Sequence, residues 1–134
     1  MSSRGVLLFL FLVLPCFPFT DANAEQKSGE KALREHFDLR EGKRLYGEYC
    51  RFCHGEQGRG QAFAVTPPPT DLTSFAVQRK SDTELTETIH EGERGTAMGS
   101  WKWALTKEDK QHVLLYIRWL AQAREQSRAP ANHP

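Results

Sequence analysis

The chain has 134 residues, with 18 basic and 17 acidic side chains and a formal net charge of +1. Its length suits one domain, and with no Lys/Arg-rich run, nucleic acid is not expected as a partner. The charge is unevenly spread: residues 61–100 carry Arg79, Lys80 and Arg94 against six carboxylates, whereas residues 101–134 carry six basic and three acidic side chains.

Residues 1–24 have the pattern of a secretory signal peptide. Arg4 supplies a positive start, residues 6–14 are an unbroken apolar run, and Ala22-Asn23-Ala24 is a small-x-small cleavage site. The run is shorter than the roughly 20 residues of a membrane span, so a cleaved signal is favoured over a retained anchor. Pro15 before Cys16 fits lipid modification of that cysteine poorly. Removing 24 of 134 residues leaves 110, with Glu25 first and two cysteines, so no structural disulfide other than one between those two is available. The protein is expected to be exported to a bacterial periplasm as a monomer.

Residues 25–37 are polar and charged and read as a flexible N-terminal arm. Asp38 is a plausible N-cap for a first helix running to about Cys53, with Gly42, Leu45, Tyr46 and Tyr49 at helical spacing. Glycine weakens a helix interior, so Gly42 points to close approach of a second helix.

Cys50-Arg51-Phe52-Cys53-His54 follows. C-x-x-C-H is the spacing of c-type haem attachment. On a helical turn, positions three and four apart share a face, so both thiols and the imidazole can address one flat ligand. The thiols form thioethers with the vinyl groups of haem, and a proximal histidine binds the iron. A thioredoxin-like C-x-x-C normally follows a buried strand in a βαβ unit, and here the preceding stretch is charged and helix-patterned. Half a zinc site needs two further ligands, and the remaining cysteine, Cys16, lies in the signal segment. In bacteria this motif receives haem outside the cytoplasmic membrane, so the motif and the export signal support each other. A covalent haem c would form the centre of an otherwise marginal core.

A turn-rich loop, residues 55–60, leads to Pro67-Pro68-Pro69, an extended rigid segment that cannot be helix interior. Ser81-Asp82-Thr83-Glu84 is a capping box that opens a short helix bearing Leu85 and Ile89, with Gly92 as its C-terminal glycine. Thr106 opens a last helix with Glu108 and Asp109 in its first turn. Val113, Tyr116, Ile117 and Leu120 form its apolar stripe, widened by Leu115 and Trp119. Residues 123–134 form a C-terminal tail, frayed from Ser127. No segment alternates as a strand does, and an all-α class is expected.

A six-coordinate iron needs a ligand opposite His54. Met98, in the small-residue stretch Gly95-Thr96-Ala97-Met98-Gly99, is the one methionine left after signal removal, and methionine is a common partner of histidine. His90 and His112 on helices are rivals, His36 and His133 lie near the termini, and an open sixth site is a further alternative. The second ring nitrogen of His54 needs an acceptor, for which a carbonyl of Pro67, Pro68 or Pro69 is the natural candidate. Trp101 and Trp103 are expected near the haem edge, and Arg59, Arg79 and Lys80 are weaker candidates for the propionates.

Across residues 38–122 the chain resembles the class I c-type cytochromes. That family places a glycine eight and an aromatic four residues before the first haem cysteine, matched by Gly42 and Tyr46. Tyr116 matches its aromatic on the C-terminal helix, Pro67 its proline after the haem motif, and Met98 its late methionine. Gly99 departs from the proline that many bacterial members carry there, which is expected to loosen the ligand loop. The interval of 44 residues between positions 54 and 98 points to a compact member. The resemblance implies terminal helices crossing beside one covalent haem, cofactor contacts from Cys50, Cys53, Pro67 and Trp101, and iron ligation by His54 and Met98. It also implies one-electron transfer between redox proteins, such as a dehydrogenase and a membrane-bound oxidase or reductase. A subunit of a larger oxidoreductase, or a haem sensor or enzyme with a labile sixth ligand, are the alternatives.

Overall fold

The computed structural model describes residues 22–129. They form five helices and no strand: α1 (Ala22–Tyr49), α2 (Arg51–His54), α3 (Phe75–Gln78), α4 (Asp82–Glu91) and α5 (Lys107–Arg128). The expected all-α class is what the chain adopts. None of the described helices is long and apolar enough to cross a membrane.

The first helix differs from its expected bounds at both ends. It begins at Ala22, not after an Asp38 cap, and is continuous through the segment read as an arm. Residues 27–37 are helical yet fully exposed, and burial begins at Asp38. The helix stops at Tyr49, and Cys50, with φ −115° and ψ −37°, starts the separate turn of α2. Most of the signal segment, residues 1–21, lies outside the described residues. At the other end α5 runs on to Arg128, so residues 123–128 of the expected tail are helical, and residues 130–134 lie outside the description.

α1 and α5 cross at Gly42. A β-carbon there would lie 2.8 Å from the carbonyl carbon of His112 and 3.1 Å from the Tyr116 Cβ. Close by, the rings of Tyr46 and Tyr116 meet at 5.2 Å, and the Tyr46 hydroxyl donates to the Gly55 carbonyl at 2.7 Å. That bond ties the end of α1 to the chain just past the cysteine motif. Leu45, Tyr46, Val113, Tyr116, Ile117 and Leu120 are buried together with Ile89 and Leu105. Leu114 is buried in a second cluster with Val77 and Leu85, while Leu115 is half-buried and Trp119 exposed, so the last helix's stripe widens toward Leu114.

Both expected N-caps are present. Ser81 and Glu84 form a reciprocal capping box on α4, and Thr106 and Asp109 form another on α5. Gly92, at φ 78°, closes α4 as expected. Two arginines of α5 then hold the irregular middle of the chain. Arg118 donates to the carbonyls of Gln78 and Lys80 and to the Asp82 carboxylate. Arg124 donates to the Asp71 carboxylate at 2.8 Å and to the Thr73 hydroxyl. These charge-assisted bonds fix the loop that forms one wall of the cleft described next.

Candidate cofactor site

Between the motif turn, the proline segment, α4 and the loop before α5 lies a cleft of about 1180 Å³ including its mouth. Its walls are mostly apolar, with Leu72, Val77, Leu85, Ile89 and Ile117 among them. Cys50, Cys53, His54, Pro67, Met98 and Trp101 all line it, so the thiols, both expected iron ligands and two of the expected neighbours reach one space.

The two thiols are free and half-buried. Burial, aided by neighbouring Cys53, pushes the Cys50 thiol up to about 12. A redox-active C-x-x-C works through a lowered thiol pKa, so this environment is the reverse of a thioredoxin-like one. Among the described residues no three His, Cys, Asp or Glu side chains converge as a metal cluster, which leaves the thiols without the partners a zinc site requires.

His54 is 8% exposed, and its Nδ1 lies 3.0 Å from the Thr70 carbonyl oxygen. With Nδ1–H donating to that carbonyl, Nε2 keeps the lone pair needed for a metal. The acceptor is thus Thr70, one residue beyond the prolines expected to supply it; the Thr66–Pro67 bond is cis. Burial holds the imidazole below its usual pKa, opposed by the Thr70 carbonyl, so it is neutral and ready to ligate at pH 7.

Met98 is half-buried and packs against the main core. Its amide donates to the Thr96 hydroxyl at 3.1 Å, and its carbonyl accepts from the Glu93 amide at 3.0 Å. Trp101 stands edge-on to Tyr49 at 5.5 Å. Trp103, expected beside it, is instead 90% exposed, with the Lys102 ammonium near its ring. The rival histidines do not line the cleft. His90 lies beside Glu91, and His112 lies 3.5 Å from Asp38 at the helix crossing. His36 is exposed on α1, and His133 is outside the described residues. Of Arg59, Arg79 and Lys80, only Lys80 lines the cleft.

Thr70 was missed because its role depends on where an irregular loop ends up relative to His54. The apolar wall residues Leu72, Val77 and Ile117 come from three separate segments and carry no common spacing.

Paired half-buried thiols, a neutral oriented imidazole and a methionine around an apolar cleft in an all-helical domain define a c-type cytochrome. The family model described as cytochrome c oxidase, cbb3-type, subunit III, matches residues 37–117, and the chain belongs to that family. The match covers nearly the whole span over which the sequence resembles class I cytochromes. Haem c, bound covalently through its vinyl groups and carrying iron, is the cofactor of such a domain, and electron transfer is its class of function. The residues present fit that group: the cleft is mostly apolar, the thiols are unpaired, and the Nδ1 of His54 faces the Thr70 carbonyl, which leaves Nε2 free for a metal.

Proposed function

We propose that the chain is an exported one-electron carrier, with Cys50 and Cys53 as the thioether residues and His54 and Met98 as the axial ligands. The observation that carries this reading is the meeting of His54 and Met98, 44 positions apart, in one cleft with both thiols. Haem c supplies reversible one-electron iron chemistry. Cys50 and Cys53 keep it from dissociating, and the Thr70 carbonyl keeps the His54 ring oriented. The apolar walls exclude water, and a methionine sulfur raises the reduction potential. With His54 and Met98 both held to the iron, the haem would offer substrate no vacant coordination site.

Partners are a dehydrogenase on one side and a terminal oxidase or reductase on the other. They meet the chain near Phe52, which is 69% exposed and packs on Phe63 at 4.7 Å beside the cysteines. Such redox encounters are small and transient. Export rests on the signal pattern of residues 1–24.

The test is an optical spectrum of protein exported with its signal intact. Covalent haem with a weak sulfur-to-iron band in the oxidised form supports the reading. Rapid binding of carbon monoxide or cyanide by the wild type points instead to a sensor or enzyme.

The family description favours a second reading, a cytochrome subunit held in a larger oxidoreductase. The exposed helix at residues 27–37 offers a surface for such docking. Isolation of the native protein settles between them: a monomer supports the free carrier, a stable complex the subunit.

A further inference from the structure

The loop that carries Met98 is held to α4 by several separate contacts. The last carbonyls of a helix have no partner within it, and here the loop satisfies them. The Ser100 hydroxyl donates to the His90 carbonyl at 2.6 Å, and the Trp101 amide donates to the Ile89 carbonyl at 3.2 Å. The Glu93 amide donates to the Met98 carbonyl at 3.0 Å, and Lys102 lies 3.6 Å from Glu91. Gly92 makes room for this closure, since a β-carbon there would lie 2.6 Å from the Met98 carbonyl oxygen.

Between Met98 and Ser100 stands Gly99, around whose would-be β-carbon nothing lies within 4 Å. The Gly99 carbonyl group packs against Gly92, where a β-carbon would lie 2.7 Å from its carbon, but Gly99 has no side chain to tie the loop, so the placement of the Met98 backbone also depends on what is fixed on either side. Ser100 is the first residue after Gly99 with a side-chain tie to α4.

We propose that Ser100 is a positioning residue for Met98: its hydroxyl latches the ligand loop to the His90 carbonyl at the C-terminal end of α4 and keeps the sulfur on the iron. The proposal rests on the reading of Met98 as the sixth ligand. Thr96 and Glu93 shape the turn itself, whereas Ser100 joins the turn to the helix.

The experiment uses haem-loaded protein and compares Ser100→Ala, Ser100→Thr, Met98→Ala and Thr106→Ala. The rate of cyanide binding to the oxidised form and the hydrogen exchange of the Trp101 amide are measured for each. Loss of one neutral hydrogen bond corresponds to about 5-fold in an opening equilibrium. Ser100→Ala is therefore expected to bind cyanide and exchange the Trp101 amide about 5-fold faster, with Ser100→Thr near wild type. Thr106→Ala removes a cap on α5 and lowers overall stability, and is expected to leave the cyanide rate unchanged. Wild-type cyanide rates in Ser100→Ala, with fast binding in Met98→Ala, overturn the latch and leave the ligand assignment standing. Equal acceleration by Ser100→Thr and Ser100→Ala, or by Thr106→Ala and Ser100→Ala, also overturns it. If Met98→Ala changes neither spectrum nor cyanide rate, the ligand reading fails and the latch falls with it.

Discussion

Gly42 lies directly against the backbone of His112, so the two terminal helices touch through main chain with no side chain between them. Gly47, one and a half turns further along α1, has nothing within 4 Å of a would-be β-carbon. Two glycines in one helix thus stand in opposite situations, and they predict opposite responses to the same substitution.

Gly42→Ala is expected to destabilise the haem-loaded protein by about 1–3 kcal/mol, the usual cost of overpacking a close contact. Gly47→Ala is expected to stabilise it by about 0.5–1 kcal/mol through the helix propensity of alanine. Denaturant titration of the two variants checks both signs, and equal effects would remove the special role of the crossing.

Cysteine replacement tests the attachment. Protein with Cys50→Ser or Cys53→Ser alone is expected to keep haem through one thioether, and the double variant to release all of it into acid-acetone. Haem released by wild type under the same extraction contradicts covalent binding.

Met98→Ala is expected to lose the sulfur-to-iron band, to admit cyanide and to lower the reduction potential, because thioether ligation favours ferrous iron. His90→Ala and His112→Ala are expected to leave spectrum and potential at wild-type values. The reverse pattern would make Met98 a packing residue and transfer ligation to a histidine.

Asp71 predicts part of the acid response. Burial works against its ionised form, but hydrogen bonds from Thr73 and Arg124 outweigh it and hold the carboxyl below its ordinary 3.8. A carboxylate with a lowered folded pKa contributes stability that is complete above the unfolded value and lost as pH falls through the folded one. Asp71→Asn is expected to cost about 1.5 kcal/mol at neutral pH, the low end for a charged hydrogen bond that still meets solvent. The gap between wild type and variant is expected to close below pH 3.8. Urea melts at pH 6 and at about pH 2.5 measure it, and a gap that persists at the lower pH argues against the ionised pair.

Export predicts a defined product. Mass spectrometry of periplasmic material is expected to show a chain beginning at Glu25 plus one haem. A chain that retains residues 1–24, or a lipid on Cys16, would replace the soluble carrier with an anchored one.

What could be read in advance followed from short-range chemistry. Cys50, Cys53 and His54 carry the spacing of a haem attachment motif, and Ser81 with Glu84 declares a helix start by mutual hydrogen bonding. Gly42, Tyr46 and Tyr116 were legible through resemblance together with periodicity. Hydrophobic periodicity reports burial, however, and not helix as such. Residues 27–37 are all exposed and join no core cluster, so their helix had no buried apolar stripe to announce it. The polar ties failed to show for a different reason. Arg118 reaches Gln78 across 40 positions and Ser100 reaches His90 across a turn, and neither pair has a local signature. Trp103 illustrates the same limit, since a tryptophan beside a cofactor-facing loop reads as packing until its direction is known.

The continuity of α1 has a mechanical meaning. With residues 1–24 removed, the helix would run from Glu25 to Tyr49, about 37 Å at 1.5 Å per residue, and its final turn leads directly into Cys50. Anything joined to the N-terminal end, whether an electrode surface, a fused domain or a neighbouring subunit, would therefore be connected to the haem site by a rod. The length of that rod would set the separation between attachment point and redox centre, and shortening it by whole helical turns would adjust the distance in steps of about 5.4 Å.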